Sequence, residues 1–67
     1  MSTSTAIGAK VKILRIGKEM TIKQLSEACG LAVGLLSQVE RGISSIAIVS
    51  LETIANVLGV PLSELFV

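Results

Sequence analysis

The chain has no histidine, tryptophan or tyrosine, and only one cysteine (Cys29), one proline (Pro61) and one phenylalanine (Phe66). A lone thiol cannot close an internal disulfide, and without histidine a zinc site would have to be built almost wholly from five carboxylates. Nucleophilic catalysis is no better served. There is no histidine or tyrosine to activate a hydroxyl, no thiol–base pair and no glycine loop of the kind that cradles phosphates. These absences argue for a protein that is not an enzyme and takes neither metal nor cofactor. Cys29, at the end of a helix among apolar neighbours, reads as a small core side chain.

Charge is also scarce. Charged residues make up 16% of the chain against a usual ~25%, and hydrophobic residues make up 51%, so the surface must carry more apolar groups than is common. Uncharged stretches such as Gly42 to Leu51 are interrupted by serines and fall far short of the ~20 apolar residues of a membrane span. The opening Met1-Ser2-Thr3-Ser4-Thr5 lacks the basic and apolar regions of a signal peptide, which places the chain in the cytoplasm. Sixty-seven residues suffice for one small domain that buries about 60% of its unfolded surface, which favours a helical bundle with short loops. The net charge of +1 is unevenly spread. Up to Lys23, five cations (Lys10, Lys12, Arg15, Lys18, Lys23) stand against Glu19; beyond it Arg41 stands against Glu27, Glu40, Glu52 and Glu64. A basic end opposite an acidic end suits weak binding to a polyanion, or simply a solvated helix face.

The most informative stretch runs from Thr21 to Gly42. Thr21 can cap a helix through its hydroxyl, and Gly30 follows the last apolar-periodic residue, where a left-handed residue closes a helix without a Cβ clash. A second helix must begin within three residues. The two axes are thereby forced to cross steeply around Leu25, Leu31, Leu36 and Val39, which is helix-turn-helix spacing.

The remaining elements follow from periodicity. Residues 1–5 read as a disordered N-terminal tail. A first helix spans about Ala6 to Ile16, with Ile7, Val11 and Leu14 facing inward, Arg15 at the edge of that face and Gly17 as its stop. Ile13 and Ile16 have no evident reason to be buried. After the motif, Ser44 or Ser45 can cap a helix running from Ile46 or Ala47 to Leu58, whose apolar stripe is Ile48, Leu51, Ile54, Ala55 and Leu58. Gly59 closes it, and Pro61 opens a short fifth helix over residues 62–66.

Taken together, Ile7-Gly8-x-Lys10-Val11-Lys12-x-Leu14-Arg15, Met20-Thr21, Gln24-Leu25, Gly30-Leu31, Leu36-Ser37-Gln38-Val39-Glu40-Arg41-Gly42 and the run from Leu51-Glu52 to Phe66 resemble the Cro/repressor (XRE-type) helix-turn-helix family over residues 7–66. The Val33-Gly34-x-Leu36-Ser37-Gln38 variant is similar to the N-terminal domain of bacterial regulators that carry a sensory domain, often of cupin type. The resemblance implies an all-α, compact five-helix, lambda-repressor-like bundle with the helix-turn-helix at residues 21–41. It also implies a DNA-binding domain over residues 6–67 serving a transcription regulator. Two departures remove polar groups that would face DNA: Ile22 stands where the family commonly has Gln, and Ala32 where the recognition helix is often capped by Ser or Thr.

On that architecture the helix from Val33 to Arg41 would enter the major groove of double-stranded DNA. With Leu35, Leu36 and Val39 needed inside, Val33, Gly34, Ser37, Gln38 and Arg41 are left to face bases. Gln38 suits adenine, Val33 a thymine methyl, and Ser37 several bases or a phosphate. Thr21, Lys23, Ser44 and Ser45 flank that helix as phosphate contacts. Arg15 and Glu40 are implied to be a structural ion pair joining the first helix to the end of the recognition helix. The alternative is a protein-interaction module that keeps the fold and has weak or no DNA binding. The surplus apolar residues Ile43, Ile46, Val49, Leu65, Phe66 and Val67 point to a homodimer, or to docking of a missing C-terminal sensory domain.

Overall fold

The computed structural model describes residues 3–43 and 46–66. Four α-helices follow in order, α1 (Thr3–Gly17), α2 (Ile22–Cys29), α3 (Val33–Glu40) and α4 (Ile48–Leu58), and a 3-10 helix (Leu62–Phe66) ends the series. The fifth helix is therefore not α-helical. Its turn is closed by the Glu64 amide donating to the Pro61 carbonyl at 3.0 Å, three residues back, the bonding pattern of a short 3-10 segment.

The helix α1 begins three residues before the expected Ala6, at Thr3. The cause is tertiary. A Cβ added to Gly42 would stand 2.7 Å from the Cα of Thr5, so the first turn of α1 lies against the backbone leaving α3. One turn later the approach is tighter still, because a Cβ on Gly8 would meet the Val39 carbonyl oxygen at 2.0 Å. Only a glycine lets the two backbones come this close.

The other end of α1 also departs from expectation. Gly17 is helical, and the left-handed residue is Glu19, with φ 57°. The Met20 amide donates to the Arg15 carbonyl at 3.1 Å and the Glu19 amide to the Ile16 carbonyl at 2.9 Å, the paired bonds of a Schellman closure. Its left-handed position is usually glycine, and here it is glutamate.

Val11, Leu25, Leu36, Ile54 and Leu65 are fully buried at the centre, joined by Ile7, Val39, Leu51, Ala55 and Leu58. Each of the valine, leucine and isoleucine side chains contributes about 1.5–3 kcal/mol by leaving water. Leu14, Leu31 and Cys29 are half-buried against this cluster. Burial pushes the Cys29 thiol pKa up, which keeps it protonated at neutral pH. Ile48 breaks the expected stripe. It is 50% exposed because α4 starts there, with Ala47 as N-cap, at the margin of the packed surface. Helix α4 thus begins one or two residues past the expected Ile46 or Ala47, and the capping position falls to Ala47, with no side-chain cap, and not to Ser44 or Ser45; those serines, like Val67, lie outside the described residues. Of the surplus apolar residues, Ile43, Val49 and Phe66 are exposed, but Ile46 is half-buried and Leu65 belongs to the core. Ile13 and Ile16 are exposed. No helix among the described residues is long and apolar enough to cross a membrane.

Candidate nucleic-acid interface

The site is assembled by three local devices. At the start of α2, Thr21 and Gln24 form a complete capping box. The Thr21 hydroxyl accepts from the Gln24 amide at 3.0 Å, and the Gln24 side-chain oxygen accepts from the Thr21 amide at 2.8 Å. Thr21 is exposed, and its own O–H remains a donor that can point outward. Gln24 is not among the expected site residues, although Thr-x-x-Gln before an apolar residue is the spacing that reveals it.

The turn between α2 and α3 is held from within. Gly30, with φ 72°, donates its amide to the Ser26 carbonyl at 2.9 Å, and the Ser26 hydroxyl donates to the Leu31 carbonyl. Ser26 thereby binds both sides of the turn. Nothing in the sequence distinguishes it from an idle surface serine, because its partner is reached only once the turn has formed.

The third device fixes the far end of α3. The Arg15 guanidinium donates from Nε and Nη2 to the two carboxylate oxygens of Glu40, at 2.7 and 3.0 Å, and from Nη1 to the Met20 carbonyl at 2.8 Å. The two side chains are 13% and 6% exposed, so this fork-to-fork pair is largely withdrawn from water. Its hydrogen bond to Glu40 holds the Arg15 pKa above its ordinary value, against the opposing effect of burial and helped by the carboxylate's charge. One guanidinium thus ties α1, the end of α3 and the loop before α2.

With its other side covered, α3 presents a single arc. At 100° per residue, Val33, Ser37, Arg41, Gly34 and Gln38 fall within about 140° of one another, while Leu36 and Val39 lie on the opposite side and are buried. Val33 is 41% exposed, Gly34, Gln38 and Arg41 are exposed, and Ser37 is half-buried; Leu35 is also only half-buried. A Cβ on Gly34 would meet nothing within 4 Å. The helix starts at Ala32, whose backbone is extended and whose side chain gives no cap. Lys23 is exposed on the first turn of α2, and Ser44 and Ser45 fall outside the described residues.

Two of the cations in the basic end of the sequence are engaged within the fold. Arg15 is committed to Glu40, and the Lys18 ammonium lies over Gly59 at the C-terminal end of α4, where a helix favours a cation. Among the described residues no group of cysteine and carboxylate side chains could hold a metal ion.

A family model described as helix-turn-helix matches residues 11–65. A search of the curated proteins finds no match. Among solved structures the chain is similar to the clp gene regulator ClgR from Corynebacterium glutamicum, with 28% identity and a TM-score of 0.93 over 97% of this chain and 69% of that one. It is similar to the restriction-modification controller protein C.AhdI from Aeromonas hydrophila, with 27% identity and a TM-score of 0.91 over 94% of this chain and 96% of that one. A transcriptional regulator from Vibrio cholerae shares 30% identity at a TM-score of 0.89, over 96% of this chain but 36% of its own. With the family model spanning most of its length and regulators of one fold superposing on nearly all of it, the chain belongs to the XRE-type helix-turn-helix family of DNA-binding transcription regulators.

Proposed function

We infer that the chain binds double-stranded DNA sequence-specifically as the DNA-binding domain of a bacterial or phage regulator in the cytoplasm, with α3 in the major groove. Val33, Gly34, Ser37, Gln38 and Arg41 meet the DNA from the outward arc, and Thr21 and Lys23, with Ser44 and Ser45, meet phosphates beside it. No catalysis is involved. The observation that carries this reading is Gly34. A glycine inside a helix costs about 0.5–1 kcal/mol relative to alanine. Here no neighbour in the protein requires one, since a Cβ would stand in open space. Close approach of a groove supplies the reason that internal packing does not. Gly34→Leu is therefore expected to raise the melting temperature while weakening duplex binding, and a variant that binds as well as the parent would remove this support.

The affinity of one domain should be low. If Lys23 and Arg41 each neutralise one phosphate, log K falls against log salt with a slope of about −2 per domain. Titrating a labelled duplex at several salt concentrations measures it. A slope near zero would favour the alternative, a protein-interaction module of the same fold, which draws on the engagement of Arg15 by Glu40.

Two domains of this kind read half-sites about one helical turn, ~34 Å, apart. The exposed Ile43, Ile48, Val49 and Phe66 lie before and at the start of α4 and at the end of the 3-10 helix. They support a homodimer contact, or the seat of a missing C-terminal sensory domain, at these elements. Val49→Lys and Phe66→Glu should then convert a dimer to a monomer in sedimentation without lowering the melting temperature of the monomer.

A further inference from the structure

Resting on the reading that α3 enters the major groove, the composition of its outward arc decides which bases it can tell apart. From Val33 to Gln38 the arc holds a branched apolar side chain, a glycine, a half-buried hydroxyl and a carboxamide, with no charge among them. The guanine edge offers two acceptors and is best met by the paired donors of Arg or by Lys. The adenine edge offers one acceptor and one donor and is met by a carboxamide, and thymine adds a methyl group that takes apolar contact.

Arg41 is the guanidinium on this arc. It lies eight residues beyond Val33, about 12 Å along the axis at the end of the helix remote from the groove floor. Its Nε is turned back toward the Ser37 carbonyl, 3.4 Å away. Arg15 is held by Glu40 and Met20, and Lys23 stands on the first turn of α2, beside the groove-facing helix. No cation is left on the base-reading half of α3.

We propose that the chain reads A·T pairs where α3 meets the major groove, Gln38 taking an adenine and Val33 the methyl group of a thymine, with guanine unread by α3. Ser37 suits any base and does not discriminate. The two specifying residues are five apart, about 7.5 Å along the axis, so the pairs they read lie about two steps apart in a stack of ~3.4 Å spacing.

The test is selection of bound sequences from a pool of random duplexes with the 67-residue chain, followed by binding of the enriched site carrying base analogues. Uracil in place of the contacted thymine removes only its methyl group, and 7-deazaadenine removes only the N7 acceptor. Uracil should weaken the parent about fourfold, the ~0.8 kcal/mol of one buried methyl, and leave Val33→Ala unaffected. The deaza analogue should weaken the parent roughly 2- to 13-fold, the net contribution of one hydrogen bond of the bidentate pair, and leave Gln38→Ala unaffected. Enriched sites fixed as G·C opposite α3, analogues without effect on the parent, or analogue effects that persist in both variants would overturn the base assignment while leaving DNA binding intact. If no duplex is retained even at low salt, the DNA-binding reading fails, and this inference falls with it.

Discussion

Helices α2 and α3 are each eight residues long, yet they are secured in opposite ways. The first carries its own restraint, a capping box at Thr21 and a left-handed glycine at Gly30. The second starts at Ala32 with no side-chain cap and is fixed from outside at its far end, by Gly8 against Val39, by Thr5 against Gly42 and by Arg15 on Glu40. The difference teaches where freedom is kept. The clamp at the far end of α3 leaves Val33 and Gly34 of its first turn exposed, and a Cβ on Gly34 would meet nothing within 4 Å.

The most severe way to break this arrangement is to separate α1 from α3. In Gly8→Val the new Cβ would lie 2.0 Å from a backbone oxygen that cannot swing aside. Overpacking commonly costs 1–3 kcal/mol and here should exceed about 3, a large part of the ~3–10 kcal/mol expected of a domain this size. Circular dichroism should find the variant unfolded, or melting more than ~12 °C below the parent. A melt within a few degrees would mean that the helices slide apart freely and that α3 is not clamped here.

Next in size is the ion pair. Removing one partner of a buried pair costs roughly 3–5 kcal/mol, and the small remaining exposure of Arg15 and Glu40 puts Arg15→Met near the lower figure. Glu40→Gln should cost less, because an amide can still accept from the guanidinium. The double variant Arg15→Met, Glu40→Met should recover most of the loss, since no charge is then stranded. Urea melts of Arg15→Met, Glu40→Met and the double variant measure the coupling. Strictly additive losses would show that the two side chains act separately.

How far the sequence discloses this scheme depends on the range of the forces involved. The start of α2 at Thr21 and its end at Gly30 are legible because both devices act within four residues. The buried positions Val11, Leu25, Leu36, Ile54 and Leu58 are legible because they repeat at the helical period. The early start of α1 is not. Threonine and serine are indifferent helix formers, and what orders Thr5 is Gly42, distant in sequence. Ile48 misleads because a period does not announce where the packed surface stops. At the interface, the outward arc can be counted off from the sequence, whereas the open space at Gly34 and the backward turn of Arg41 require coordinates.

The contrast between the two helix starts can be sharpened by exchanging them. Thr21→Ala deletes a working cap and should cost about 1 kcal/mol, whereas Ala32→Ser supplies a missing one and should return a similar amount. Shifts of about 4–8 °C in opposite directions are expected. The informative measurement is binding of the selected duplex by Ala32→Ser. If α3 is left uncapped to keep its first turn clear, the stabilised variant binds less tightly; binding equal to that of the parent would make Ala32 a neutral departure.

The smallest effect concerns the far ends of α1 and α3, which close in the same left-handed conformation with different residues. Gly42, at φ 72°, has Thr5 beside it, so Gly42→Ala combines conformational strain with a clash. Glu19 holds φ 57° and is exposed, so only the strain is present. A left-handed residue with a Cβ costs about 1–2 kcal/mol, of which glycine recovers all but its own greater loss of chain entropy, about 0.5–1 kcal/mol. Glu19→Gly should therefore stabilise by roughly 0.5–1 kcal/mol on this balance, and Gly42→Ala should destabilise by more than that. Glu19→Gly also removes the one carboxylate among the cations of the first 23 residues, so its duplex binding should strengthen slightly at low salt and not at high salt. Glu19→Gln separates the two contributions, since it removes the charge and keeps the Cβ. If Glu19→Gln stabilises as much as Glu19→Gly, charge and not backbone strain governs this turn, and the closure of α1 is not the strained counterpart of the closure of α3.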